Sequence, residues 1–211
     1  MKHVVPLSNF EFRIPHFVVA NADPYEAIVI GASAGGWGAL KAVLGVLPED
    51  FSLAIMVVMH RHPHSDDYLE KSLDNDCAVR VKQADEKESI VSGTVYFAPP
   101  NYHLLIEDVH VLSLSVARAV NYARPSIDVL FESAAYVYGD TLAGLVLTGA
   151  NSDGAVGLKR IKAAGGLTLV QDPETAEATT MPHAAIAAAD PDLVLPLGEI
   201  GAFIKGLGRN S

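Results

Sequence analysis

The stretch "YEAIVIGASAGGWGALKAVL", from Tyr25 to Leu44, indicates the fold of the whole chain. Its apolar run, Ala27 to Ile30, ends in a cluster of small residues, and a helical pattern follows. Strands that are buried on both faces of a parallel sheet are continuously apolar, and parallel strands are joined by crossover helices. The stretch therefore predicts the first strand–turn–helix unit of an α/β domain.

The same alternation continues to the end of the chain. Strands are predicted at 27–30, 53–59, 78–83, 95–98, 142–147, 167–171 and 193–195. Helices are predicted at 38–47, 67–75, 127–138, 156–164, 182–189 and 198–206. This order predicts a doubly wound α/β fold with a mainly parallel sheet flanked by helices.

Two segments depart from this alternation. Residues 91–114 contain strand-like runs with no helix between them, which predicts an antiparallel β-hairpin insertion. Residues 1–24 contain three prolines and no helical period, so we expect an N-terminal extension that is not a domain. The remainder, 25–208, is expected to form one domain.

Composition excludes several classes of function. The net charge of −10 and the pI near 5.1 argue against binding to nucleic acid or to an anionic membrane surface. The longest apolar run, Leu53 to Met59, is far shorter than the roughly 20 residues that span a bilayer. We expect a cytoplasmic protein without membrane insertion.

The small-residue turn matches one catalytic pattern and fails two others. Its register does not fit G-x-G-x-x-G, and no lysine follows Gly36 as in a phosphate-binding loop. Residues 31–35 do fit G-x-S-x-G, in which Ser33 would be a nucleophile on a tight turn. Backbone N–H groups near Gly35 and Gly36, at the helix start, would suit an oxyanion. A glycine-rich turn with an incidental serine remains the alternative.

A base and an acid are predicted at the same edge of the sheet. His60 directly follows a buried strand, and Asp153 lies in the turn of a second strand–turn–helix segment, "LAGLVLTGANSDGAVGLKRIKAAGG". The carboxyl ends of parallel strands meet at one edge, where sites collect. For Asp153 the alternative is the N-cap of its own helix, a position that aspartate favours.

A metallohydrolase is the strongest alternative function from the residues alone. His60, His62, His64 and Asp66 stand at alternate positions after a strand, and such side chains can gather around zinc. His103 and His183 are isolated further candidates, and no second cluster accompanies them.

Six segments resemble the catalytic domain of the chemotaxis-receptor protein-glutamate methylesterases (CheB type). They are "IGASAGG", "VVMHRHP", "SGTVYFAPPNYHLLIE", "ARPSIDVLFESAA", "LTGANSDGAVGLKRIKAAGG" and "QDPETAEATTMPHAAI". The resemblance implies a Ser–His–Asp triad of Ser33, His60 and Asp153, with no cofactor and no metal. It implies hydrolysis of methylated glutamates on the cytoplasmic helices of chemoreceptors, with release of methanol, and in some members deamidation of glutamine there.

The resemblance also bears on the residues around the triad. Backbone N–H groups near Gly35, Gly36 or Ala150 are candidates for the oxyanion pocket. Arg124, in "RPSID", is a candidate for substrate binding, or else an arginine that braces the following helix. Ala34, Ala150 and Asn151 stand where the family pattern has threonine, methionine and glycine, so a binding module without turnover is an alternative.

Regulation is the last point on which the chain departs from the pattern. Full-length family members carry an N-terminal receiver domain, and residues 1–24 are too few to form one. Either the chain is a fragment, or it is a stand-alone esterase domain that is controlled in another way, for which a separate receiver protein is a candidate partner.

Overall fold

Parallel strands form the central sheet of the computed structural model, which describes residues 25–62, 64, 66–107 and 110–208. In chain order the strands are β1 (Ala27–Ala32), β2 (Ala54–Met59), β3 (Arg80–Gln83), β4 (Thr94–Phe97), β5 (His103–Glu107), β6 (Val111–Ser115), β7 (Leu142–Val146), β8 (Leu167–Gln171) and β9 (Leu193–Leu195). All but β5 and β6 form one sheet in the order β3-β4-β2-β1-β7-β8-β9, with every neighbouring pair parallel.

Helices cover both faces of this sheet. They are α1 (Gly36–Leu44), α2 (Tyr68–Asp76), α3 (Ile127–Tyr138), α4 (Ala155–Ala163), α5 (Thr180–Ala189) and α6 (Leu197–Leu207). Successive side chains of a strand point to opposite faces. Accordingly, Val29 of β1 packs in the core with α3, α4 and α5, whereas Ile28 and Ile30 pack in the core with α1, α2 and α6.

A small antiparallel hairpin lies outside the main sheet. It consists of β5 and β6, and Leu104 and Leu112 are buried in the same core as α3. The Ile106 N–H donates to Ser133 Oγ on α3 at 3.1 Å, which fixes the hairpin to that helix. The predicted insertion is therefore present but shorter at its start, because Thr94–Phe97 pairs with β2 and β3 in the parallel sheet.

The predicted doubly wound α/β fold is confirmed. Each predicted strand and helix is present, and its ends shift by three residues at most. The extension predicted for residues 1–24 lies outside the described residues. Within the described part of the chain, no helix is both long and apolar enough to cross a bilayer.

Candidate active site

The candidate site lies at the carboxyl edge of the sheet, where three adjacent strands end. Ser33 follows β1, His60 follows β2, and Asp153 lies in the turn between β7 and α4. Backbone hydrogen bonds join these strand ends: the His60 N–H donates to Ala32 O at 3.0 Å, and the Ser33 N–H donates to Thr148 O at 2.9 Å. In the order β2-β1-β7, the end of the strand that precedes Ser33 therefore lies between the ends of the strands that precede His60 and Asp153.

The turn that carries Ser33 needs both of its outer glycines. A Cβ on Gly31 would lie 2.4 Å from Ile127 Cγ2, so any larger residue would collide with the first residue of α3. Gly35 has a φ of 76°, in the left-handed region, and a Cβ there would lie 2.6 Å from the Cβ of Glu177. In the G-x-S-x-G pattern, the first glycine thus allows the close approach of Ile127, and the second adopts a left-handed backbone conformation.

His60 has a hydrogen-bond partner on each ring nitrogen. Its Nε2 lies 2.8 Å from Asp153 Oδ2, and its Nδ1 lies 3.1 Å from the side-chain amide nitrogen of Asn151. The imidazole is partly exposed, whereas the Asp153 side chain is fully buried. Within the described residues no hydrogen bond joins Ser33 Oγ to His60.

Asp153 is buried at the N-terminus of α3, where donors converge on its carboxylate. These donors are His60 Nε2 and the Ile127 N–H at Oδ2, and Asn121 Nδ2, Ser126 Oγ and the Asp128 N–H at Oδ1. Burial by itself would raise the pKa of the Asp153 carboxyl. The hydrogen bonds, led by the one from His60, outweigh burial and hold that pKa below its ordinary value.

Asp153 does cap a helix, but the helix is α3 and not α4, the one that follows it in the chain. The N-cap of its own helix, α4, is Gly154, and Asp153 instead accepts N–H groups from the first turn of α3. It still contacts His60, because each carboxylate oxygen can accept more than one hydrogen bond. One carboxylate therefore caps α3 and contacts His60 at the same time.

Asp128 performs the reciprocal task for α4. Its Oδ1 accepts the N–H groups of Gly154 at 3.0 Å and Gly157 at 2.7 Å, and its Oδ2 accepts from Asn121 Nδ2 at 2.8 Å. The turn before α4 thus caps α3 through Asp153, and α3 caps α4 through Asp128. Burial raises the pKa of Asp128, and the negative charge of Asp153 adds to the rise.

Thr148 connects the serine turn to the segment before α5. Its hydroxyl donates to Ala34 O at 2.8 Å and accepts the Ala178 N–H at 2.8 Å. Its own N–H donates to Oε1 of the buried Gln171 at 2.9 Å. Four of these residues were not among those predicted from the sequence: Thr148, Gln171, Asn121 and Asp128. The position of Thr148, directly after the predicted strand 142–147, was an available signal.

Comparisons with known proteins identify the family of the chain. The sequence model of the CheB methylesterase family matches residues 28–204. The chain belongs to the CheB methylesterase family. The resemblance found in the sequence is thereby confirmed.

Individual relatives carry matching names. A protein of Leptospira interrogans, provisionally named protein-glutamate methylesterase/protein-glutamine glutaminase, is 53% identical over 89% of this chain and 97% of its own length. A Methanosarcina acetivorans protein-glutamate methylesterase/protein-glutamine glutaminase is 38% identical over 89% of this chain and 54% of its own length. The crystal structure of the Thermotoga maritima CheB methylesterase catalytic domain superposes with a TM-score of 0.83 at 32% identity, covering 87% of this chain and 98% of that one.

The arginines near the site of this CheB-family chain are engaged in the protein. Arg124 donates to Asn101 Oδ1 and to the carbonyls of Val116 and Ala117. Arg61 pairs with the buried Glu70 and donates to Ala98 O. These contacts favour a bracing role for Arg124, because most of its N–H groups already have acceptors.

The histidine run does not gather into one cluster. His60 turns to Asp153, whereas the rings of His62 and His64 contact each other at 5.4 Å between centroids. His103 is buried and bridges the Ser126 N–H and Arg118 O. No group of three His, Cys, Asp or Glu side chains in the described ranges is arranged to hold a metal ion.

Proposed function

We propose that this chain is a serine hydrolase that removes methyl esters from methylated glutamates of chemoreceptors. The observation that carries the proposal is the buried Asp153 carboxylate hydrogen-bonded to His60, beside the strand end that presents Ser33. The names of the relatives support the same activity and add deamidation of protein glutamine.

The first chemical step forms an acyl-enzyme. Ser33 Oγ attacks the ester carbonyl while His60 takes the hydroxyl proton. Because His60 Nε2 faces Asp153, the nitrogen that accepts this proton is Nδ1. Asp153 orients the ring and stabilises the imidazolium, which then protonates the leaving methoxide to give methanol.

The second step returns the enzyme to its starting state. Water attacks the acyl-enzyme, gives its proton to His60, and the glutamate carboxylate leaves as Ser33 regains a proton. A glutamine side chain would follow the same course, with ammonia as the leaving group. We include no cofactor and no metal in this scheme.

The oxyanion of both tetrahedral intermediates needs N–H donors. Of the candidates, the Gly36 N–H donates to Ser33 O at 2.8 Å and is engaged. The N–H groups of Gly35 and Ala150 have no acceptor among the described residues, and they flank the Ser33 turn and the end of β7. We therefore propose Gly35 and Ala150 as the donors and assign Gly36 to the turn itself.

The partners follow from the substrate. We propose that the cytoplasmic helices of chemoreceptors bind at this edge of the sheet and that the enzyme acts in the cytoplasm. We assign Arg124 an indirect role, in which it braces the chain around Asn101 and Val116 beside the substrate. A separate receiver protein stays a candidate regulator.

Methanol release from a methylated receptor fragment tests the proposal. Ser33→Ala should lower kcat by about 10⁴-fold or more, because members of a triad act as a unit. Ser152→Ala is a matched control, since this exposed serine occupies the corresponding turn after β7 and should keep nearly full activity. Labelling by a fluorophosphonate should follow the same pattern. Activity that survives Ser33→Ala would overturn the serine mechanism, and no methanol from the wild-type chain would favour a binding module.

A further inference from the structure

Asn151 occupies the nitrogen of His60 that faces away from Asp153. The two atoms, Asn151 Nδ2 and His60 Nδ1, lie 3.1 Å apart. The orientation of the amide is fixed at its other end, where Asn151 Oδ1 lies 3.1 Å from the backbone nitrogen of Asp153. A backbone N–H can only donate, so the atom that faces it must be the amide oxygen, and the amide nitrogen must face His60.

This orientation determines the tautomer of His60. An amide NH₂ group only donates, so the neutral imidazole accepts at Nδ1 and carries its proton on Nε2. The Nε2–H then donates to Asp153 Oδ2 at 2.8 Å. A chain of hydrogen bonds that starts at the Asp153 backbone therefore ends at the Asp153 carboxylate, passing through Asn151 and His60.

The same arrangement sets Asn151 in competition with Ser33. An sp² nitrogen offers one lone pair, and under the proposed mechanism the lone pair of Nδ1 must accept the Ser33 proton. In this structure the lone pair is held by Asn151, and no hydrogen bond between Ser33 and His60 is present in the described chain. Activation of the serine requires that the Asn151 amide be displaced.

We propose that Asn151 is a positioning residue that holds His60 in the reactive tautomer while restraining it from Ser33, a role that rests on the proposed serine mechanism. Asn151 stabilises the neutral ring, because a protonated Nδ1 would face the amide hydrogens. It thus sets the resting rate of the proposed reaction. Asp153 is the charged group that contacts His60. Asp128 is connected to His60 only indirectly, through hydrogen bonds from Asn121 to Asp153.

Two substitutions separate this role from a structural one. Asn151→Ala removes the donor, so kcat should rise about 2- to 10-fold, the range of one ordinary hydrogen bond, with little change in KM. The acid limb of kcat/KM against pH should move to higher pH. Asn151→Asp keeps an oxygen for the Asp153 N–H but sets an acceptor against Nδ1. It should favour the protonated ring, lower kcat about 10-fold or more near pH 7, and move the acid limb further in the same direction.

Ser152, the neighbour of Asn151 in the same turn, provides the control. Ser152→Ala should change neither the rate nor the pH profile. If Asn151 only supports the turn, Asn151→Asp would behave like the wild type and Asn151→Ala would lose activity with the acid limb unmoved. Either result overturns the proposal.

A measurement without substrate distinguishes this proposal from the function on which it rests. In ¹⁵N-histidine-labelled wild-type protein at neutral pH, the His60 Nδ1 resonance should be that of an unprotonated, hydrogen-bonded nitrogen. It should shift in Asn151→Ala. A protonated Nδ1 in the wild type would overturn the role of Asn151 even in an active esterase. If the wild-type protein shows an unprotonated Nδ1 but does not hydrolyse the ester, the result would instead count against the proposed function.

Discussion

The β1–α1 and β7–α4 turns share one local design and differ in the chemistry they present. Each follows a fully buried strand and reaches its helix through a glycine with a left-handed φ, 76° at Gly35 and 95° at Gly154. The first turn presents a partly exposed serine, whereas the second buries an aspartate.

The difference comes from what lies in front of each helix start. The N-terminus of α4 is filled by the Asp128 carboxylate, which accepts two of its N–H groups. No side chain of the described residues caps α1 in this way, and the Gly35 N–H has no acceptor among them. Under the proposed mechanism, the same backbone design therefore supplies an oxyanion donor in one turn and supports the proposed triad acid in the other, depending on the neighbouring helix.

Neutralising the two aspartates one at a time should separate the roles of the two turns. Asp153→Asn should lower kcat by about 10³- to 10⁴-fold, because an amide nitrogen opposes the Nε2–H of His60 and favours the wrong tautomer. Asp128→Asn should cost roughly 10-fold at most, since Asp128 contacts helix N–H groups and no reacting atom. Methanol release measures both, and equal losses would show that the network acts as one unit.

The two left-handed glycines test whether the turns are equally constrained. Alanine at Gly154 would place its Cβ 2.7 Å from Cγ2 of the fully buried Ile127. We expect a loss of about 3 kcal/mol in the free energy of unfolding, from backbone strain plus overpacking. Gly35→Ala should cost about 1–2 kcal/mol, because the exposed Glu177 segment can move away. Urea unfolding measures both, and the reverse order would mean that the Glu177 segment is the more rigid one.

A smaller effect is expected where the serine turn meets the end of β7. Thr148→Val removes the hydroxyl that links Ala34 O to the Ala178 N–H and leaves both without that partner. The expected cost is about 1–2 kcal/mol in unfolding free energy, with a moderate fall in kcat as the Ser33 turn loosens. The exposed Thr179→Val is the control and should stay within about 0.5 kcal/mol of the wild type. Equal stability of the two variants would show that Thr148 supports neither turn.

The smallest difference is in the pH dependence of stability. The pKa of Asp153 is lowered in the folded protein, so the stability that its ionised carboxylate contributes is fully present above about pH 3.9, the ordinary aspartate pKa. That stability is lost as pH falls through the pKa of the folded state. The pKa of Asp128 is raised, so its ionised form costs stability, and that cost is relieved as pH falls from its folded value toward about 3.9. The unfolding free energy of the wild type relative to Asp153→Asn should therefore fall as pH drops below about 4. Relative to Asp128→Asn it should rise as pH drops toward about 4 from above. A change for both variants on the same side would contradict the assignment.

The sequence predicted those parts of the site that depend on local pattern. Apolar runs and small-residue turns located the strands, and parallel order brought Ser33, His60 and Asp153 to one edge. The partners of Asp153 could not be predicted in this way, because Asn121 and Ser126 come from a different loop and carry no periodic signal. The start of the hairpin was misplaced for a related reason: Thr94–Phe97 resembles the following strands in composition, and only its pairing with β2 and β3 assigns it to the parallel sheet.

The strand order has a consequence for how the protein is made. β1 lies between β2 and β7, and Ala27 pairs with Leu142, more than a hundred residues later along the chain. On the ribosome Ser33 and His60 emerge early, whereas Asp153 arrives only with the turn between β7 and α4. Pairings of such long sequence separation form slowly, and until β7 arrives one edge of β1 is open to other chains. A partly synthesised chain therefore holds Ser33 and His60 without Asp153. Under the proposed mechanism, hydrolytic activity should appear only when β7 and the strands that follow it have paired with the first half of the sheet.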